Sequence, residues 1–298
     1  MSGKSPLVKL NNGVEMPALG LGVYAIPGED TPGAVRSAIA EGYRLIDTAA
    51  VYGNERQVGE GIRQSEIDRA EMFLTTKLWI SDFGYEPALR AFDASLRRLG
   101  MDYVDLYLLH WPVPKAFDAT VAAYKAAGKL LAEGRVRAIG VSNFSEQHLD
   151  VLMTQTDTVP AVNQIELHPF FSQRELREVD ARLGIVTQSW SPIGGILDRH
   201  PVEGLPVRNP LEHPLILQLA ARHGKTPAQV VLRWHMQHGL SAVPKSVHAA
   251  RIRENIDIFD FQLGAEELAA VDALDTGLRG GPDPEMVDTE LAPIRIEE

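Results

Sequence analysis

The strongest constraint in this sequence is an alternation, eight times over, of short apolar runs with amphipathic helical segments. Val104-Asp105-Leu106-Tyr107-Leu108-Leu109 is typical of the runs. Such nearly continuous hydrophobicity fits a strand covered on both faces. Eight strand–helix units in 298 residues favour a closed (β/α)8 TIM barrel over an open sheet. Strands are predicted at Leu19 to Tyr24, Tyr43 to Asp47, Met72 to Lys77, Tyr103 to His110, Val136 to Val141, Ala161 to Glu166, Ile185 to Trp190 and Leu240 to Lys245. An N-terminal β-hairpin, Val8 to Met16 around Asn12-Gly13, precedes them. An extra helix, Glu266 to Leu274, and an acidic Gly/Pro-rich tail follow. Two helices carry capping-box patterns, Ser172 with Glu175 and Thr226 with Gln229. No linker divides the chain, so residues 1–298 read as one barrel domain.

Charge narrows the partners. With 29 basic and 40 acidic residues the net charge is -11, which argues against nucleic acid and anionic membrane, since both need a basic surface. The absence of cysteine excludes disulfides, thiolate catalysis and cysteine-ligated metal, and no metal site is expected. The first residues lack the apolar run of a secretory signal, and no apolar segment is long enough to span a bilayer. A cytoplasmic, soluble monomer is expected.

A barrel places its chemistry at the C-terminal ends of its strands. Polar or aromatic residues stand at such ends in turn: Asp47, Lys77, His110, Ser142-Asn143, Gln164 with Glu166, Trp190 and Lys245. Tyr52 follows Asp47 in a loop. A phenol of pKa ~10 is a poor acid at neutral pH, and an adjacent ammonium can lower it by roughly 1–3 units. A carboxylate can hold that lysine, and a neutral histidine can orient the substrate oxygen. Gly20-Leu21-Gly22-Val23-Tyr24-Ala25 fits a dinucleotide fingerprint in form only, because no helix starts within its glycines. The sequon Asn143-Phe144-Ser145 carries no meaning without a secretory signal.

The stretch Gly42 to Glu55 resembles the first signature of the aldo-keto reductase family. Met101 to Pro112, Ile139-Gly140-Val141-Ser142-Asn143-Phe144 and Val243-Pro244-Lys245-Ser246 resemble three more of its motifs. Asp275-Thr276-Gly277 and Gly281-Pro282-Asp283-Pro284 point within it to the bacterial 2,5-diketo-D-gluconate reductase type. The resemblance implies NADPH-dependent reduction of aldehydes and ketones, such as small dicarbonyls or keto-sugars. It implies that Tyr52 donates the proton, Lys77 and Asp47 lower its pKa, and His110 orients the carbonyl. Ser142, Asn143 and Gln164 would bind the nicotinamide carboxamide, and Trp190 would stack on its ring. Ser191, Ile193 and Gly194 would meet the pyrophosphate. Lys245, Ser246 and Arg251 would hold the 2′-phosphate, Glu254 and Asn255 the adenine side, and Val247 would also touch the cofactor. Arg251, Glu254 and Asn255 share one helix face. Val23, Tyr24, Trp79, Trp111 and Phe144, with His110, are the expected substrate walls. Two rivals stand beside this reading: a Schiff-base aldolase using Lys77, and an NADPH-binding sensor with slow turnover.

Overall fold

A computed structural model describes residues 4–196 and 209–296. Residues 197–208, half of the Pro/Gly-rich passage from Ser191 to Pro214, thus lie outside the described residues. The chain opens on an antiparallel hairpin, β1 (Leu7–Lys9) and β2 (Glu15–Pro17), with Lys9 opposite Glu15. Its turn places Gly13 at φ 87°, in the left-handed region that glycine enters freely.

Eight parallel strands follow: β3 (Leu21–Gly22), β4 (Leu45–Asp47), β5 (Phe73–Leu78), β6 (Val104–Leu109), β7 (Val136–Ser142), β8 (Val162–Glu166), β9 (Val186–Trp190) and β10 (Ser241–Ala242). Each pairs with the next in sequence order. The two ends of that order also meet. Gly20 N–H donates to Ala242 at 3.0 Å, Ala242 N–H to Ala18 at 2.8 Å, and Gly22 N–H to Pro244 at 3.0 Å. The sheet therefore closes into the expected barrel. β3 and β10 are shorter than their apolar runs predict. Pro244 has no N–H for a ladder, and the seam is carried by single bridges instead.

The helices are α1 (Thr31–Ala40), α2 (Glu55–Gln64), α3 (Tyr85–Leu99), α4 (Phe117–Ala132), α5 (Glu146–Gln155), α6 (Arg174–Leu183), α7 (Pro214–His223), α8 (Pro227–Gln237), α9 (Ala249–Ile256) and α10 (Ala265–Asp272). The Thr226–Gln229 capping box forms at the start of α8, with Thr226 N–H donating to Gln229 Oε1 at 2.8 Å. The Ser172–Glu175 box does not form. α6 begins after Gln173, at φ 47°, and the Ser172 hydroxyl donates to Asp275 in the tail. A hydrogen bond to a carboxyl group elsewhere in the chain takes the place of the local cap. No helix among the described residues is long and apolar enough to cross a membrane.

The hairpin plugs the N-terminal end of the barrel. Leu10 and Met16 pack with Leu45, Phe73 and Val162, each the first residue of its strand. Asn11 Nδ2 donates to the Pro160 carbonyl and Asn12 Nδ2 to that of Arg137, both at 2.9 Å. The opposite end is left for chemistry.

Candidate active site

Asp47 ends β4, and Lys77 is the penultimate residue of the neighbouring β5. Lys77 is wholly buried. Its ammonium donates to Asp47 Oδ1 at 2.7 Å, to the Thr48 carbonyl at 3.0 Å and to the Tyr52 hydroxyl at 3.1 Å. Tyr52 is half-buried on a short 3-10 turn, Ala50–Tyr52. The turn is tied at its far end. Asn54 Nδ2 donates to the Val23 carbonyl at 2.9 Å, and Thr48 Oγ1 to Asn54 Oδ1 at 2.8 Å. Buried Glu55 accepts from Thr76 Oγ1 at 2.6 Å and Arg98 Nε at 2.7 Å. These supports are invisible in the sequence, where Glu55 looks like an ordinary first-turn acid.

His110 follows β6 and completes the group. Its ring meets Tyr52 edge-on at 5.7 Å and Trp79 at 5.2 Å, and stacks on Trp111 at 6.4 Å. Burial and the Lys77 charge hold the imidazole well below its usual range, so it is neutral at pH 7. For Tyr52 the balance corrects a sequence expectation. Burial pushes the phenol up, Lys77 pulls it down, and Asp47 by itself pushes it up again, leaving a net upward shift. Asp47 instead keeps Lys77 charged: burial lowers that ammonium, but Asp47 and Tyr52 raise it more. A raised phenol is protonated at neutral pH and ready to donate, with the ammonium beside it to stabilise the phenolate that donation leaves.

A buried polar row runs inward from Asp47. Gln164 Nε2 donates to Asp47 Oδ2 at 2.8 Å and to Gln188 Oε1 at 2.6 Å, and Gln188 Nε2 donates to Ser241 Oγ at 2.9 Å. Both side-chain amide protons of Gln164 are thereby used, which leaves its side-chain Oε1, distinct from its backbone carbonyl, to meet a ligand. Ser142 Oγ donates to the Gln164 carbonyl at 2.8 Å. Asn143, at φ 66°, donates to the His110 carbonyl at 3.0 Å and accepts the Trp190 indole N–H at 2.9 Å. Asparagine tolerates that left-handed conformation.

The same turn at Asn143 overturns one predicted wall. It sends Phe144 away from the mouth, against the rings of Phe117 and His148, where it is fully buried in the core. Val23 is likewise fully buried in the main core. Trp79 and Trp111 flank the His110 ring, and Tyr24 is 53% exposed with its ring 5.0 Å from Tyr52. The tail closes over this side: Val287 packs with Trp79 and Trp111, and Trp79 Nε1 donates to the Ile294 carbonyl at 2.9 Å.

Beyond Trp190 lies a cavity of ≈ 430 Å³. Of the predicted cofactor residues, Ile193, Lys245, Ser246, Val247, Arg251, Glu254 and Asn255 line it. Ser191, at φ 49°, and Gly194, at φ 77°, shape the turn that carries Ile193, with Gly194 N–H donating to the Ser191 carbonyl at 2.8 Å. Asn209, Leu211 and the α8 start, Thr226 to Ala228, complete the walls and were missed. The capping box marked a helix start there, but nothing in the sequence aims it at the cavity. The fit to an anion is good. The first turn of α9 carries no acid and no side-chain cap, so its N–H groups remain available beside Arg251 and Ser246. Arg253 points away, to Glu41 at 2.8 Å.

One support below the site titrates near neutrality. Asn163 Nδ2 donates to the Phe144 carbonyl at 3.0 Å and to Asp180 at 3.2 Å, and Thr187 Oγ1 donates to Asp180 at 2.8 Å. Burial pushes Asp180 up to about 7, against these two hydrogen bonds. From about pH 4 to about pH 7 the folded chain then holds a proton that the unfolded chain has lost, so stability falls as pH rises, by ~1.4 kcal/mol per unit. Urea unfolding across this window should show that slope in the wild type and not in Asp180→Asn.

A model of the aldo/keto reductase family matches residues 18–276. The chain is 60% identical to morphine 6-dehydrogenase of Pseudomonas putida, over 97% of this chain and 98% of that one. It is 46% identical to glyoxal reductase of Bacillus subtilis, over 93% and 96% respectively. The crystal structure of a Bombyx mori aldo-keto reductase in complex with NADP superposes with a TM-score of 0.87 at 35% identity, covering 93% of this chain and 95% of that one. A closed eight-stranded barrel, the tyrosine–lysine–aspartate–histidine group at its C-terminal end and these relatives agree: the chain belongs to the aldo/keto reductase family.

Proposed function

We propose that this protein interconverts carbonyl compounds and alcohols with NADPH/NADP+, and that Tyr52 is its acid. The observation that carries the reading is the Asp47–Lys77–Tyr52 chain of contacts, 2.7 and 3.1 Å long, delivering a phenol to the barrel mouth beside neutral His110. Bound NADPH supplies the hydride for the carbonyl carbon. His110 orients the carbonyl oxygen and Tyr52 protonates it. Lys77 stabilises the phenolate left behind, and Asp47 holds Lys77. Trp190 and Asn143 offer a flat face and a polar edge to the nicotinamide. Ser246, Arg251 and the α9 N-terminus suit a 2′-phosphate, and the complex of the Bombyx mori relative with NADP supports that choice.

For the substrate we favour compact carbonyls: small dicarbonyls, keto-sugars or cyclic ketones. Trp79, Trp111 and Tyr24 give flat apolar walls. The relatives named for morphine and glyoxal bracket the range in size. Loss of NADPH absorbance should accompany reduction of a small dicarbonyl, a keto-sugar acid or a polycyclic ketone. Tight NADPH binding without turnover on any of the three would sink the enzyme reading in favour of a sensor. The phosphate site has its own test. Arg251→Ala should weaken NADPH about tenfold or more, the loss of one charge-assisted hydrogen bond, and leave NADH affinity unchanged.

A further inference from the structure

Glu166 ends β8 two residues beyond Gln164, and its side chain is wholly buried. Its carboxylate faces outward along the barrel to the tail. Oε1 accepts the Gly280 N–H and Oε2 the Gly281 N–H, each at 2.8 Å, and His168 Nε2 lies 3.1 Å from Oε1. Burial pushes this carboxyl up, but His168 and the two backbone donors outweigh it and hold it ionised.

The backbone gripped in this way lies directly on Trp190. A Cβ at Gly281 would stand 2.6 Å from Trp190 Cη2 and 2.9 Å from Glu166 Oε2, so only glycine fits. The far end of the same indole is fixed by its N–H bond to Asn143. The ring is thus clamped at both ends, and Glu166 holds the backbone that forms one of the two clamps.

Past Gly281 the tail crosses the mouth on thinner attachments. Glu285 reaches His148 at 3.3 Å, Asp288 reaches Lys115 at 2.6 Å, and the Ile294 carbonyl accepts from Trp79. Lys115 is 65% exposed and Glu285 52%, and exposed ion pairs hold little. The buried carboxylate holds the tail where it passes Trp190, between the Ser172–Asp275 and Thr276–Phe170 bonds before it and the Val287 and Ile294 contacts after it.

We propose that Glu166 is a positioning residue of this site: through the Gly280–Gly281 backbone it fixes the outer edge of Trp190 and the tail that walls the carbonyl side, and so sets affinity for the carbonyl partner. The kinetic part rests on the reductase reading above; the mechanical part does not.

The mechanical part is read by trypsin. Arg279 precedes the gripped Gly280, so cleavage there needs the grip released. In Glu166→Gln an amide group faces a backbone N–H, and loss of residues 280–298, followed by intact mass, should quicken on the order of tenfold. The carbonyl KM should rise by a similar factor, and NADPH-induced quenching of tryptophan fluorescence should shrink. Glu166→Asp should recover part of each. Gly281→Ala leaves the carboxylate in place but crowds the indole, and should raise KM in the same way. A purely structural role would lower the melting temperature without moving KM. Unchanged cleavage in Glu166→Gln would overturn the anchor. A raised KM in Glu166→Gln with a normal KM in Gly281→Ala would overturn the route through Trp190. Should the wild type reduce no carbonyl, the reductase reading fails instead, and cleavage with fluorescence quenching still decides the anchor.

Discussion

Tyr52→Phe should lose roughly 10²–10⁴ of its carbonyl turnover, the range of a positioned proton donor, and should bind NADPH as well as the wild type does. The substitution removes one hydroxyl and leaves the ring that packs between Tyr24 and His110. Lys77 keeps Asp47 and the Thr48 carbonyl as partners, so no buried charge is stranded. Stability should change little. Single-turnover decay of NADPH absorbance isolates the step in which the proton moves. Equal rates in the two proteins would remove Tyr52 from the chemistry and leave His110 as the nearest candidate.

Lys77→Met should act on both stability and rate. The pair it breaks is buried, with side-chain exposures of 0% for Lys77 and 4% for Asp47. Removing one partner of a buried pair costs ~3–5 kcal/mol, because the survivor is left uncompensated. Here the cost should fall toward the lower figure, since Gln164 still donates to Asp47. Turnover should fall as steeply as in Tyr52→Phe, because the phenolate loses its cation. The pH dependence has a definite sign. Lys77 titrates above its ordinary 10.5 in the folded chain, so its contribution is complete below that value and fades only as pH rises through the higher one. Wild type and variant should therefore differ fully at pH 7 and converge only in strong alkali. Urea unfolding at neutral and alkaline pH measures both, and equal stability at pH 7 would show that the pair contributes nothing net.

The barrel was legible because each strand carries its own apolar run and each helix its own periodicity, both of which are local properties. The four residues at the heart of the site were legible for a related reason. A strand end is a position that a pattern can locate, and the barrel turns a list of strand ends into one cluster. What could not be read was which way a side chain turns after the strand stops. Phe144 follows Asn143 directly and was placed on the mouth, yet one left-handed residue moves it into the core. Long-range partners were equally hidden. Ser172 and Glu175 satisfy a local rule, but Asp275, a hundred residues on, takes the hydroxyl. Nothing near the acidic tail in sequence announces that Glu166 and Trp79 will hold it down.

The hairpin beneath the barrel has a consequence for how the acid is recharged. Each reduction would spend one proton from Tyr52. The polar row from Asp47 through Gln164 and Gln188 runs inward, but its last amide also points at the Met16 sulfur, 3.8 Å away, in a floor shared with Leu10, Leu45 and Phe73. A thioether and aliphatic carbon pass no proton onward. Among the described residues the row ends on buried Ser241 and this apolar floor, so a replacement proton would reach half-buried Tyr52 from the mouth, the way an alcohol product would leave. Product departure and reprotonation would then share one opening, and whatever slowed the opening of the mouth would also delay the return of the acid to its working form.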